Sequence, residues 1–206
     1  DEAVEISSLI NKPVQLQFTR EDDMTAGTYR PASKYKIEAS IKEGEITGYR
    51  LSEAAINSNM YDLIPNFFPA GAIPNYQVNA HAYQSNITTG AWRAPYTNFL
   101  AFAEQSFFDE LAEIMKVDPV QLRLDLLEKA KPIAEQDESI QYSPARMQGV
   151  IKSVVEKSQY GKKGNGVYQG LSVYYSHNTH VAEVAELIME NGKPKFTKVY
   201  CSVDCG

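Results

Sequence analysis

The segment VAEVAELIMENGKPKFTKVYCSVD, residues 181–204, contains the clearest fold signal in the chain. Two runs rich in strand-forming residues flank Asn191-Gly192. This dipeptide is typical of two-residue turns between antiparallel strands, because both residues tolerate positive φ. The segment therefore predicts a β hairpin with strands at 181–189 and 196–204. A further strand is predicted just before it, at 166–175.

The first part of the chain also alternates between apolar and polar residues. Val14, Leu16 and Phe18 predict a half-buried strand, followed by a charged turn at 20–24. A second hairpin is predicted with strands at 35–41 and 46–52. Residues 76–87 alternate less regularly and are a weaker candidate for another strand.

Helical patterns occupy residues 1–11 and most of 97–160. A helix at 98–116 is predicted from one face at helical spacing, made of Phe99, Phe102, Ala103, Ser106, Phe107, Leu111 and Ile114. Asp118-Pro119 and Ser143-Pro144 each combine an N-cap side chain with proline at the first helical position, which predicts two helix starts. Strand-rich residues 12–89, helical residues 97–160 and strand-rich residues 164–206 together predict an α+β fold with antiparallel β hairpins and a central helical segment.

Composition narrows the function. A chain of 206 residues that is 43% hydrophobic can bury a sizeable core. Its net charge of −6 disfavours nucleic-acid binding, and no apolar run is long enough to span a membrane. Neither end resembles a signal peptide or a tail, so we expect an internal fragment of a longer protein. The compartment, bacterial periplasm or cytoplasm, stays open.

The two cysteines, Cys201 and Cys205, give little support for a metal site. On a strand they point the same way but lie too far apart to bridge easily. His177 and His180 are the nearby candidates for further zinc ligands, but strand geometry does not bring the four side chains together. We expect Cys201 to be a small core residue and Cys205 to begin a loop.

Three other clusters are weaker still. The acidic residues at 21–23 follow a predicted strand and are typical of a solvated turn. Ser176-His177 lacks a third member for nucleophilic catalysis. The glycine-rich residues 161–166 lack the spacing of a phosphate-binding loop and precede a strand rather than a helix.

The strongest candidate site is the turn Gly90-Ala91-Trp92-Arg93-Ala94-Pro95 before the long helix. Glycine lets the backbone approach a ligand closely, and arginine supplies a permanent charge with a fork of donors. This combination suits a phosphate, a carboxylate or an anionic metal-oxo group. A buried Trp92 beside a structural ion pair of Arg93 explains the residues equally well.

An ordered series of motifs covers nearly the whole chain. The motifs lie at 12–24, 29–32, 73–75, 90–93, 104–112, 118–123, 164–170, 181–186 and 203–206. In this order they resemble the molybdenum-binding large subunit of the xanthine dehydrogenase/aldehyde oxidase family, and most closely its isoquinoline 1-oxidoreductase β-subunit type. The resemblance implies that the chain is part of a molybdopterin-binding domain.

The resemblance also implies a hydroxylase that takes oxygen from water and oxidises N-heterocycles or aldehydes. Such enzymes use a molybdenum–pterin cofactor, for which a cytosine dinucleotide is one form, and pass electrons to iron–sulfur clusters on a partner subunit. In that family the Gly-Ala-aromatic-Arg turn lies beside the cofactor. This assigns cofactor binding to Gly90, Ala91, Trp92 and Arg93.

Several family motifs are missing from this chain. The family's catalytic glutamate lies outside it and matches none of Glu104, Glu110, Glu183 and Glu186, so no catalytic residue or metal ligand is assigned. We therefore expect the fragment alone to retain no cofactor and to be inactive. One alternative is a noncatalytic binding or assembly module that keeps the scaffold without the metal. Another is a carbohydrate or peptide binder that uses its tyrosines.

Overall fold

The computed structural model of this chain describes residues 1–57, 68–90, 98–131 and 141–206. The helices in these ranges are α1 (Glu2–Ile10), α2 (Arg20–Ala26), α3 (Asn98–Met115), α4 (Pro119–Lys129) and α5 (Pro144–Ser158). The strands are β1 (Ser33–Lys42), β2 (Glu45–Ile56), β3 (Asn75–Tyr83), β4 (Val167–Ser176), β5 (Thr179–Glu190) and β6 (Lys193–Asp204). The predicted α+β class is confirmed.

The first three strands form an N-terminal sheet with the order β1-β2-β3. β1 and β2 make the predicted antiparallel hairpin, turning through Glu43 and Gly44 at φ of 54° and 80°. β3 pairs with β2 in parallel, from Gly48 opposite Asn75 to Ile56 opposite Tyr83. The sheet is therefore mixed, which the hairpin patterns did not predict.

The last three strands form a C-terminal sheet with the order β4-β5-β6, in which both pairings are antiparallel. Asn191 and Gly192 connect β5 to β6 with φ of 53° and 75°. Positive φ at both positions is what a two-residue hairpin turn of this hand requires. The hairpin predicted from residues 181–204 is confirmed.

The helices connect the two sheets around one hydrophobic core. α5 packs on β5 and β6, α4 packs on α5, and α3 contacts both β1 and β4. Fully buried side chains include Phe108, Leu127, Met147 and Ile151. Ser143 and Asp118 cap α5 and α4 as predicted, since their side chains accept hydrogen bonds from the first-turn backbone amides.

The predicted buried face of α3 is partly wrong. Phe102 is 77% exposed and Ile114 is 69% exposed, whereas Glu104, Gln105 and Phe108 are buried. The periodicity of apolar residues misplaced this face because two polar residues occupy the core. The side chain of Phe99 lies outside the described part of the structure.

The N-terminal segment also departs from the predictions. Residues 12–19 form no strand, since no neighbouring strand hydrogen-bonds to them, so the strand predicted from Val14, Leu16 and Phe18 is wrong. The charged turn predicted at 20–24 is helix α2. Its start is fixed by a capping box between Thr19 and Asp22, with the Thr19 amide donating to Asp22 at 3.0 Å. The helix predicted at 1–11 is confirmed as α1.

In the part of the chain that the structure describes, the helices are too short or too polar to cross a membrane.

Candidate cofactor-binding site

Gly90 is the first residue of the candidate turn and lies at the end of a short parallel bridge. Thr89 bridges to Tyr29. The Tyr29 amide donates to the Thr88 carbonyl at 3.0 Å, and the Gly90 amide donates to the Tyr29 carbonyl at 3.0 Å. The backbone entering the turn is thus fixed against residues 28–30. Ala91, Trp92 and Arg93 lie outside the described residues.

Glycine is required at position 90 because of Thr28. A Cβ atom built on Gly90 would lie 2.6 Å from the Thr28 hydroxyl oxygen and 2.9 Å from the Thr28 Cβ. These distances are shorter than van der Waals contact, so no larger residue fits unless Thr28 moves. The close packing explains the sequence signal at Gly90 independently of any ligand.

A cavity of about 700 Å³ is lined in part by the same segment, residues 27–30. Arg20, Asp23 and Met24 of α2 line one wall, and Thr28, Tyr29 and Arg30 line another. Arg20, Asp23 and Arg30 therefore line a space next to the backbone that holds Gly90. Guanidinium forks suit phosphate, carboxylate and other oxyanions, so the residues around the turn fit an anionic cofactor.

Comparison with known proteins identifies the family. The family model for the molybdopterin cofactor-binding domain matches residues 3–126, which is more than half of the chain and includes the bridge, the cavity and the turn. The chain belongs to the molybdopterin cofactor-binding domain family.

Two curated proteins are similar to this chain. The isoquinoline 1-oxidoreductase subunit beta of Brevundimonas diminuta is 26% identical over 228 aligned residues that cover all of this chain and 27% of the relative. A membrane-bound aldehyde dehydrogenase [pyrroloquinoline-quinone] of Gluconacetobacter polyoxogenes is 23% identical over 184 aligned residues, covering 78% of this chain and 23% of the relative. The chain thus spans about a quarter of the length of these relatives.

In this molybdopterin cofactor-binding domain, α3 follows the candidate turn and contains a buried carboxyl group. Glu104 is 3% exposed. Tyr49 of β2 donates to one of its oxygens at 3.0 Å, and Tyr174 of β4 donates to the other at 3.2 Å. Burial raises the pKa of Glu104 to about 7, although the two hydroxyl hydrogen bonds act in the opposite direction.

A second buried polar group of the domain surrounds Arg123 of α4, which is fully buried. Its guanidinium donates to the Gln105 side chain at 3.0 Å, to the Gln105 carbonyl at 3.0 Å and to Asp109 at 2.9 Å. Gln105 also accepts a hydrogen bond from the Val173 amide at 3.2 Å, which connects α3 to the open edge of β4. Sequence reasoning missed this group. Its available signal was a polar pair, Glu104-Gln105, inside an otherwise apolar stretch of helix.

Glu110, Glu183 and Glu186 do not line this cavity. Glu186 forms an ion pair with Lys163 at 3.0 Å and accepts from Gln169 at 3.0 Å. Glu110 is exposed on α3, and Glu183 is exposed on β5.

Cys201, Cys205, His177 and His180 lie in or next to the C-terminal sheet, after the residues that the family model matches. Both cysteines are exposed, so the expectation that Cys201 is a core residue is wrong. It lies on the face of β6 that points away from α5, beside the exposed Glu183 of β5. His180 is buried and its Nε2 accepts a hydrogen bond from the Ser143 amide at 3.0 Å, whereas His177 is exposed. Among the described residues, no three His, Cys, Asp or Glu side chains form a metal-binding group.

Proposed function

We propose that this chain is an internal part of the large subunit of a molybdenum hydroxylase, and that Gly90, Ala91, Trp92 and Arg93 contact its cofactor. The observation that carries the proposal is the pair of hydrogen bonds that Tyr29 makes with Thr88 and Gly90. These bonds hold the backbone that enters the turn next to a cavity lined by Arg20, Tyr29 and Arg30. The family model and both curated relatives support an oxidoreductase as the parent protein.

The molybdenum–pterin group, when bound, supplies two-electron oxidation of a carbon–hydrogen bond with oxygen from water. The residues of this chain would bind that group and orient it. Gly90 fixes the backbone at the start of the turn, because its amide donates to the Tyr29 carbonyl and it packs closely on Thr28. We assign to Arg93 the role of a cation that stabilises negative charge on the cofactor.

The proton-transfer step is assigned to a residue outside this chain. Glu104 is enclosed by Tyr49 and Tyr174, and Glu186 is paired with Lys163. A general base must lie within hydrogen-bonding distance of the proton it accepts, and these groups are engaged elsewhere. We therefore expect this fragment alone to hold no cofactor and to show no turnover.

Substrates and partners follow from the same proposal. Small N-heterocycles or aldehydes are the expected substrates, and a subunit that holds iron–sulfur clusters is the expected electron acceptor. The name of the Brevundimonas relative, an oxidoreductase subunit acting on isoquinoline, supports the first class. The name of the Gluconacetobacter relative, an aldehyde dehydrogenase, supports the second.

The test is elemental analysis of the full-length parent protein, purified with its associated subunits. We expect about one molybdenum per large subunit, together with iron in the partner. A parent that lacks molybdenum, when it is expressed under conditions that load a molybdenum enzyme control, would reject the proposal in favour of a noncatalytic scaffold. Because the printed name of the Gluconacetobacter relative includes pyrroloquinoline quinone, quinone analysis of the same sample tests the rival cofactor.

A further inference from the structure

Glu104 connects the two sheets through a single carboxyl group. Tyr49 belongs to the N-terminal sheet and Tyr174 to the C-terminal sheet, yet both hydroxyl groups donate to the same side chain. These tyrosines lie 55 and 70 residues from Glu104 in sequence. The carboxyl group is therefore a point where α3, β2 and β4 are held together.

Among the described residues, no cation forms an ion pair with Glu104. Tyr76 of β3 stacks on Tyr49 with ring centroids 5.3 Å apart. Tyr35 of β1 donates to Glu53 of β2 at 2.9 Å, which places a second buried carboxyl group in the N-terminal sheet. Arg123 of α4, the buried cation packed against α3, binds the Gln105 side chain and Asp109 instead.

The two protonation states of Glu104 make different hydrogen bonds. The ionised carboxylate accepts from both tyrosines, but it is a buried charge with no counterion among the described residues, which is costly. The protonated acid is neutral and carries its own O–H donor, so one tyrosine must accept rather than donate. Since burial raises the pKa of Glu104 to about 7, both forms are populated near neutral pH.

We propose that the protonation state of Glu104 sets how firmly α3 is held between the two sheets. The neutral acid holds the helix more firmly, and ionisation loosens it. Glu104 lies six positions into α3, which begins at Asn98 directly after residues 91–97. This inference does not rest on the cofactor role of the turn.

Amide hydrogen exchange in α3 reports this change, because α3 is the helix that carries Glu104. The experiment is a titration of the purified full-length parent protein from about pH 5.5 to 8.5, recording amide hydrogen exchange in α3 by mass spectrometry. After the rates are corrected for the base-catalysed rise of amide exchange with pH, we expect one transition near pH 7, with faster exchange on its alkaline side. Absence of a transition in the unsubstituted chain would overturn the inference.

The matched control is Glu104→Gln, which keeps the shape and one acceptor and one donor function but cannot ionise. It should lose the transition and exchange at a rate independent of this titration, resembling the acidic form of the unsubstituted chain. Histidines, of which this chain has three, ordinarily titrate in a similar pH range. A transition that persists unchanged in Glu104→Gln therefore belongs to other groups and refutes the role proposed for Glu104.

A second variant protects the test if Glu104→Gln does not fold. Tyr174→Phe removes one hydrogen bond that favours the carboxylate, so the transition should move to higher pH by about half a unit or more. Tyr168→Phe, on the exposed part of the same strand, should leave the midpoint unchanged. Equal midpoints for Tyr174→Phe and the unsubstituted chain would contradict the inference.

Discussion

Arg146 binds Asp204 through two charge-assisted hydrogen bonds, with Nη2 lying 2.6 Å from one carboxylate oxygen and Nε lying 2.9 Å from the other. This fork joins the first turn of α5 to the last residue of β6. Two parallel bonds fix both groups in one geometry, which a single ion pair does not do. Arg146 also holds the pKa of the Asp204 carboxyl well below its usual range.

Asp204→Asn should lower the melting temperature of the chain at neutral pH. A carboxyl whose folded pKa is depressed stabilises the fold above its unfolded pKa, and that contribution is lost as pH falls through the folded value. The difference between variant and unsubstituted chain should therefore shrink as the pH is lowered below about 4. Thermal unfolding followed by circular dichroism at several pH values measures it.

Glu190→Gln is the control for that variant. Glu190 forms an ion pair with Lys195 at 2.9 Å, and both side chains are more than half exposed. Exposed pairs contribute little, so the melting temperature should scarcely change. A loss for Glu190→Gln equal to that for Asp204→Asn would show that the fork has no special role.

Gly90→Ala should destabilise the chain by about 1 to 3 kcal/mol, because the added methyl group overlaps Thr28. Gly149→Ala is the matched substitution, since a Cβ at Gly149 in α5 meets no atom within 4 Å. It should leave the free energy of unfolding unchanged or raise it, because alanine favours helix. Urea unfolding of the two variants gives the comparison, and equal stabilities would contradict the packing at Gly90.

Gln105→Leu should be strongly destabilising although it keeps the volume of the side chain. It leaves the Arg123 guanidinium and the Val173 amide without a shared acceptor, at a cost of about 1 to 3 kcal/mol for each buried group. Gln121 of α4 is exposed, so Gln121→Leu serves as control and should leave the free energy of unfolding nearly unchanged. The same urea titrations decide this, and a neutral Gln105→Leu would mean that the buried polar group is not stabilising.

His180 should make the chain less stable below about pH 6.5. Burial and the charge of Arg146 lower the pKa of His180, so the unfolded chain binds a proton more readily than the folded one. Stability is then present at higher pH and is lost as pH falls. His180→Gln keeps an acceptor for the Ser143 amide and should flatten this part of the profile, as measured by unfolding at pH 5 to 8. An unaltered slope would assign the acid sensitivity to other groups.

The sequence predicted local structure better than packing. Asn191-Gly192 and Asp118-Pro119 act within a few residues, and the structure confirms both the turn and the helix start. Phe102 and Glu104 were harder, because hydrophobicity does not show that tyrosines from two distant strands will hydrogen-bond a carboxyl group in the core. The strand predicted at 14–18 failed for a similar reason, since strand formation depends on a hydrogen-bonding neighbour that alternation does not reveal.

The candidate site was predictable in part. Gly90 was singled out for close approach of the backbone to a ligand, whereas the structure shows that it packs closely on Thr28. The contact with a ligand stays a prediction. The cavity beside it was missed because Arg20, Asp23 and Met24 were interpreted as a solvated turn. Thr19 and Asp22 had the spacing of a capping box, which was the signal for α2.

Helix α1 has nine residues, and none of its side chains is buried. A helix of this length is only marginally stable in water by itself, since nucleation costs more than a few backbone hydrogen bonds return. Its amides should therefore exchange with solvent within the first moments of a deuterium pulse, well before those of α5. A protease should likewise make its first cut within α1 and leave the two sheets and their helices intact.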